Sequence, residues 1–144
     1  MTVTIDASVW VAARFPSEPG HAASSACLHH ALGAREPIVL PWLAWVECAA
    51  AVARKTGDAD LAREAGQRLR GLPAVDWVPL DETAAAAATA LAATCGLRAA
   101  DAIYAAVARQ HDAVLVTLDA ELRRRGTDMV RCVSPEEWTR EHSS

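Results

Sequence analysis

The chain of 144 residues is 52% apolar, enough to bury one core, and the expected organisation is a single domain over residues 1–144 without a linker. Its net charge of -4 argues against tight, sequence-blind binding to nucleic acid, which draws on many phosphate contacts from a basic surface. A small local basic patch is compatible with that balance. Of the 14 basic residues only Lys55 is a lysine, so chemistry that needs a lysine has one candidate. Cys27, Cys48, Cys95 and Cys132 form no C-x-x-C pair, and the histidines show no zinc-binding spacing, so reduced structural thiols are expected. No charged, apolar leader opens the chain and no apolar run reaches about 18 residues, which predicts a cytoplasmic protein without a membrane segment.

In chain order, Val3-Thr4-Ile5 is a short β-branched strand that ends in Asp6-Ala7-Ser8. Ser8 can cap a helix to about Arg14, and Pro16-Ser17-Glu18 opens a second helix running towards Leu32. Pro37–Leu40 reads as a strand. Pro41 then suits the first position of a helix that Gly57 stops, with Arg54 and Lys55 in its last turn against the negative dipole end. Asp58 to Leu69 forms another helix and Val75–Pro79 a third strand. Asp81 caps an alanine-rich helix ended by Gly96, and Arg98 to Gln110 is helical and nearly all apolar beyond its first turn. Ala113–Thr117 is the clearest buried strand and exits into Leu118-Asp119. Met129–Val133 is a fifth strand, and Ser134-Pro135-Glu136-Glu137 is a capping box for a short last helix.

Strands separated by helices, with continuous apolar runs, predict an α/β fold: a doubly wound, mainly parallel five-stranded sheet with helices on both faces. Right-handed crossovers bring all strand carboxyl ends to one edge, so Asp6 and Asp119 share it. Two further acids sit in apolar surroundings. Glu47 is the only charge in Trp42–Ala53, and Asp101 opens the apolar run Asp101–Ala108. A carboxylate beside a core is costly unless it meets a cation. Two carboxylates about 4 Å apart repel by about 4 kcal/mol at an effective dielectric near 20, and a divalent cation removes that penalty. Replacing Asp101 by asparagine is therefore expected to stabilise the metal-free chain.

Each acid also has a plain structural explanation: Asp101 as a first-turn acid, Asp119 as a helix cap, Asp6 as a turn residue, and Glu47 as an ion-pair partner of Arg98. Together, four acids in four separated segments, all placed where one sheet edge can gather them, point to a shared cation. Oxygen-only ligands favour magnesium or manganese over zinc, and such an ion can activate water for in-line attack on a phosphodiester.

The residues Ile5-Asp6-Ala7-Ser8, Trp45-Val46-Glu47, Leu97-Arg98-Ala99-Ala100-Asp101-Ala102-Ile103-Tyr104 and Leu115-Val116-Thr117-Leu118-Asp119 resemble the PIN-domain nucleases, and within them the VapC-type toxins of toxin-antitoxin pairs. The likeness spans nearly the whole chain. It implies a catalytic, metal-holding quartet of Asp6, Glu47, Asp101 and Asp119, with Ser8 and Thr117 as hydroxyls close to the metal or its ligands. It also implies a Mg2+- or Mn2+-dependent endoribonuclease leaving a 5′-phosphate and a 3′-hydroxyl, a homodimer, and inhibition by a small antitoxin protein.

Arg98 could bind a substrate phosphate or neutralise Glu47. Arg123-Arg124-Arg125 suits a solvated helix end better than an RNA-facing patch. Trp10, Trp42 and Trp45 suit core packing, or an apolar groove for a partner helix, better than base stacking. Phosphatases and receiver domains with an Asp after the first strand need a lysine late in the chain, and Lys55 comes too early. Gly-rich phosphate loops are absent, which excludes ATPase and dinucleotide-dependent chemistry. The remaining alternative is a catalytically silent PIN-like module that binds RNA or protein.

Overall fold

The computed structural model describes residues 1–126 and 128–143. Its elements follow the chain as β1 (Val3–Ile5), α1 (Ala7–Arg14), α2 (His21–Gly33), β2 (Ile38–Pro41), α3 (Leu43–Thr56), α4 (Ala59–Arg70), β3 (Val75–Val78), α5 (Glu82–Cys95), α6 (Ala99–Gln110), β4 (Val114–Val116), α7 (Ala120–Gly126), β5 (Cys132–Val133) and α8 (Pro135–His142). The five strands form one sheet in the order β3-β2-β1-β4-β5, and every pairing is parallel. This is the α/β architecture expected from the apolar strand runs.

The strand order reverses direction between β1 and β4, which pair in register from Val3↔Val114 to Ile5↔Val116. In open α/β sheets a crevice forms at that reversal, outside the carboxyl ends of the strands. Asp6 follows β1 there, and Thr117 follows β4. Val3, Thr4, Ile5 and Leu115, Val116, Thr117 are all buried, so both functional ends are anchored in the core.

One helical layer is a chain of contacts running α8, α2, α1, α3, α4. On the opposite face, where right-handed crossovers place the β3-to-β4 connection, α6 lies across β2, β1 and β4 with α5 packed outside it. Six residues of α6 are buried, among them Tyr104. Its run of small alanines lets the helix lie close on the sheet. Among the described residues no single helix is long and apolar enough to cross a membrane.

Several expected boundaries move. The second helix begins at His21 rather than Pro16, because Pro19 disfavours a helical Glu18 and the chain turns first, through Glu18 N to Phe15 O (3.0 Å) and His21 N to Glu18 O (3.0 Å). Pro41 ends β2 instead of starting α3. β2 registers with β1 at Val3↔Ile38 and with β3 as far as Pro41↔Val78, so at Pro41 the side towards β1 has no ladder bond to lose. The fifth strand shrinks to Cys132–Val133, since Met129 and Val130 bond back to Gly126 O at 3.0 and 2.9 Å and close the end of α7.

Candidate active site

The site is built outward from Asp6. Its carboxylate is the N-cap of α1, accepting from Ser8 N at 2.9 Å, so Asp6 takes the capping role expected of Ser8. One carboxylate oxygen also accepts from the Ser8 hydroxyl and the other from the Thr117 hydroxyl. These hydroxyls are shared with the backbone: Ser8 Oγ accepts from Leu118 N at 3.2 Å, and Thr117 Oγ1 accepts from Asp119 N at 3.0 Å. The ends of β1 and β4 are thereby locked together around one carboxylate, and Asp6 N bonds Val116 O at 3.1 Å beneath it.

Asp6 is only 6% exposed. Burial raises its pKa from the ordinary 3.8 to about 6, against the lowering influence of the Ser8 and Thr117 hydrogen bonds, and the charge of Glu47 pushes the same way as burial. Glu47 reaches this point from α3 and is linked to it through Tyr104. The Tyr104 hydroxyl accepts from Ala7 N at 3.2 Å, and burial, the Glu47 charge and a hydrogen bond with Glu47 drive its pKa far upward. Tyr104 therefore keeps its proton and can donate it to Glu47.

Asp101 and Asp119 meet differently. Asp101 opens α6, and Asp119 caps α7 by accepting from Glu121 N at 2.9 Å. Arg98, just before α6, spans them, with Nε on Asp101 at 3.2 Å and Nη2 on Asp119 at 2.7 Å. Arg98 does not neutralise Glu47. It sits three residues before Asp101, on the flank beside the β4 exit, whereas Glu47 faces Asp6 and Tyr104 from α3. Both bridges are open to water, with the Arg98 side chain 77% exposed, so they add little to stability.

The acids therefore form two linked pairs, Asp6 with Glu47 and Asp101 with Asp119, joined through Thr117. Among the described residues no three carboxylate, histidine or cysteine groups come close enough to share one ion. The donors still suit a hard divalent cation in kind. They are all oxygens, and Asp6 carries a buried charge that burial and Glu47 both oppose, a penalty that a cation would lift. Asp101, by contrast, already has its cation in Arg98, so the stabilisation expected from its replacement by asparagine no longer follows.

Tyr104 is the residue that sequence reasoning missed as part of the site. Its signal was a lone hydroxyl three residues after Asp101 in an apolar helix, where it shares the face of that acid. The arginine run is mostly tied up: Arg123 bonds Thr117 O at 2.8 Å, while Arg124 and Arg125 pair with Glu121 at 2.6 and 3.1 Å. Trp10 packs half-buried, its indole N–H on Ile5 O at 2.9 Å, and Trp42 stacks on Trp77 with ring centroids 5.2 Å apart.

Two outcomes follow. Folded Asp6 holds its proton between about pH 4 and 6, where the unfolded chain has lost it, so its contribution to stability is full below pH 4 and falls as pH rises through 6. The gap from 3.8 to about 6 corresponds to about 3 kcal/mol. Without divalent cation, the stability of the wild type relative to Asp6→Asn should fall by that order across this window, read from denaturant midpoints at several pH values. A flat difference would contradict the buried, ionised Asp6. Tyr104→Phe strips the buried Ala7 N–H of its acceptor and should cost about 1–3 kcal/mol in the same measurement.

Residues 3–127 match the PIN domain family. No curated protein matches the chain. Among solved structures, that of FitAcB from Neisseria gonorrhoeae is similar at TM-score 0.71 and 22% identity, covering 94% of this chain and 98% of that one. VapC20 of Mycobacterium tuberculosis, described as a sarcin-ricin loop cleaving toxin, aligns at TM-score 0.71 and 16% identity over 86% and 95% of the two chains. A toxin-antitoxin complex from Klebsiella pneumoniae aligns at 0.64 and 21% over 92% and 97%. At these identities the structures speak for the fold, and the family match covers most of the length: the chain belongs to the PIN-domain family.

Proposed function

We propose that this chain is a single-domain, magnesium- or manganese-dependent endoribonuclease that acts in the cytoplasm as the toxin of a toxin-antitoxin pair, works as a homodimer and is restrained by a small antitoxin. The observation that carries the reading is the buried Asp6 carboxylate, fixed by Ser8 and Thr117 at the reversal of the sheet and facing Glu47, whose charge adds to the cost of its burial. The likeness to a sarcin-ricin loop cleaving toxin and to a toxin-antitoxin complex supports the substrate class and the partner.

On this reading Asp6, Glu47, Asp101 and Asp119 hold the cation. A divalent ion bound there supplies activation of water and neutralisation of the phosphodiester charge. The protein's own part is orientation. Ser8 and Thr117 fix both oxygens of Asp6, the α7 amides fix one oxygen of Asp119, and the Tyr104 hydroxyl ties the start of α1 to α6 beside Glu47. Arg98 neutralises Asp101 and Asp119, and its exposed guanidinium would be placed to meet a phosphate if a bound cation took over that role. The same Arg98 bridges, together with the lack of three converging acids among the described residues, are what favours the second reading, a silent RNA- or protein-binding module.

The two readings part in an RNA cleavage assay. Wild type should cut with magnesium or manganese and stop with chelator, and Asp6→Asn should lower the rate at least about 100-fold. Cleavage indifferent to both would overturn the nuclease reading. Arg98→Ala removes the competing guanidinium and should tighten magnesium binding by a few-fold to about tenfold in calorimetry. Unchanged affinity would mean that the ion does not enter between Asp101 and Asp119.

A further inference from the structure

Beside the acids runs a groove of about 400 Å³ whose lining includes Ser8, Glu47, Ala51, Arg54, Lys55 and Leu118. One face of α3 forms its wall, since positions 47, 51, 54 and 55 recur at helical spacing, and the rise from Glu47 to Arg54 is about 10 Å. The groove thus has an acidic end at Glu47 and a cationic end at the last turn of α3. Across it, Gly20 leaves room for Leu118: a Cβ at Gly20 would stand 2.8 Å from a Leu118 methyl. That close approach keeps the loop before α2 against the β4 exit.

The two cations differ in their ties. Lys55 is paired with Glu18 and lies 5.7 Å from the Phe15 ring centre. Arg54 is exposed, and among the described residues it has no hydrogen-bond or ion-pair partner. The helix dipole accounts for basic residues in a last turn. It does not account for an unpaired guanidinium lining the same groove as Ser8 and Glu47. On a chain of net charge -4, a polyanion can approach these acids only if cations hold its flanking phosphates.

We propose that this groove seats the backbone of single-stranded RNA, with Arg54 binding a phosphate that flanks the scissile linkage and Lys55 supporting the same end. The assignment rests on the nuclease reading above and deepens it. Arg54 is a positioning residue: it holds the strand about 10 Å from Glu47 and takes no part in bond breaking. On the opposite flank Arg98 and Arg125 line a second hollow but are already bonded there to Asp101, Asp119 and Glu121, which leaves Arg54 as a cation open to a phosphate beside the acids.

The test is fluorescence anisotropy with a 5′-labelled RNA 12-mer in chelator, across a salt series, with magnesium-dependent cleavage followed in parallel. Arg54→Ala should weaken binding roughly tenfold and reduce the salt slope by about 0.7. Arg54→Lys should keep most of the slope, and Arg140→Ala, on α8, should match wild type in both. In cleavage, Arg54→Ala should raise KM more than it lowers kcat. Wild-type affinity and slope in Arg54→Ala, with cleavage intact and still dependent on Asp6, would overturn the groove assignment and leave the nuclease standing. A chain that neither binds nor cleaves RNA would overturn both.

Discussion

The structure turns on one carboxylate held from three directions. Asp6 is the N-cap of α1, the acceptor of the Ser8 hydroxyl and the acceptor of the Thr117 hydroxyl, 111 residues away in sequence. These bonds close the gap where the strand order reverses, the one place in such a sheet where neighbouring connections leave in opposite directions and expose the strand ends. A buried acid that accepts so many hydrogen bonds ought to ionise easily. Burial outweighs them and raises its pKa to about 6, with Glu47 adding to the rise. The fold thus maintains a negative charge where it is least favourable, the condition under which a bound cation contributes most.

The second pair of acids is in the opposite electrostatic state. Asp101 and Asp119 are bridged by Arg98 in exposed surroundings, so their repulsion is already relieved. Their geometry nevertheless depends on the same core. Asp119 is capped onto α7 directly after the buried end of β4, and Asp101 begins the buried helix α6 that crosses β1, β2 and β4. All four acids are therefore carried on helices or at strand exits anchored in the core, and the Arg98 side chain that joins two of them is 77% exposed.

Charge is distributed along the groove as well as within it. The groove beside Glu47 ends in Arg54 and Lys55, and the hollow beside Asp119 holds Arg98 and Arg125 bonded to Asp101, Asp119 and Glu121, so cations stand beside the acids on a chain that is acidic overall. Net charge describes the whole surface and hides such local separation. It explains why composition argued against nonspecific nucleic-acid binding while cations still stand beside the acids.

The order of strands and helices, the parallel sheet and the placement of the acids at strand exits were all legible in the sequence, because apolar runs, β-branched residues and caps are local signals. Helix starts near proline were less so: whether Pro41 ends a strand or opens a helix depends on how far β1 extends beside it, and that is a property of the neighbouring strand. The partner of Arg98 was not legible, and the role of Tyr104 had only a weak signal in its spacing from Asp101. Sequence offered Arg98 a substrate phosphate or Glu47, whereas the fold puts it on Asp101 and Asp119 and leaves Glu47 on α3 beside Tyr104 and Asp6. The sequence by itself determined which residues carry charge into the core and at which strand ends they emerge, since those follow from local pattern. Only the tertiary structure decided which charges stay unrelieved and which are paired, since that depends on distances between segments separated by up to 111 residues.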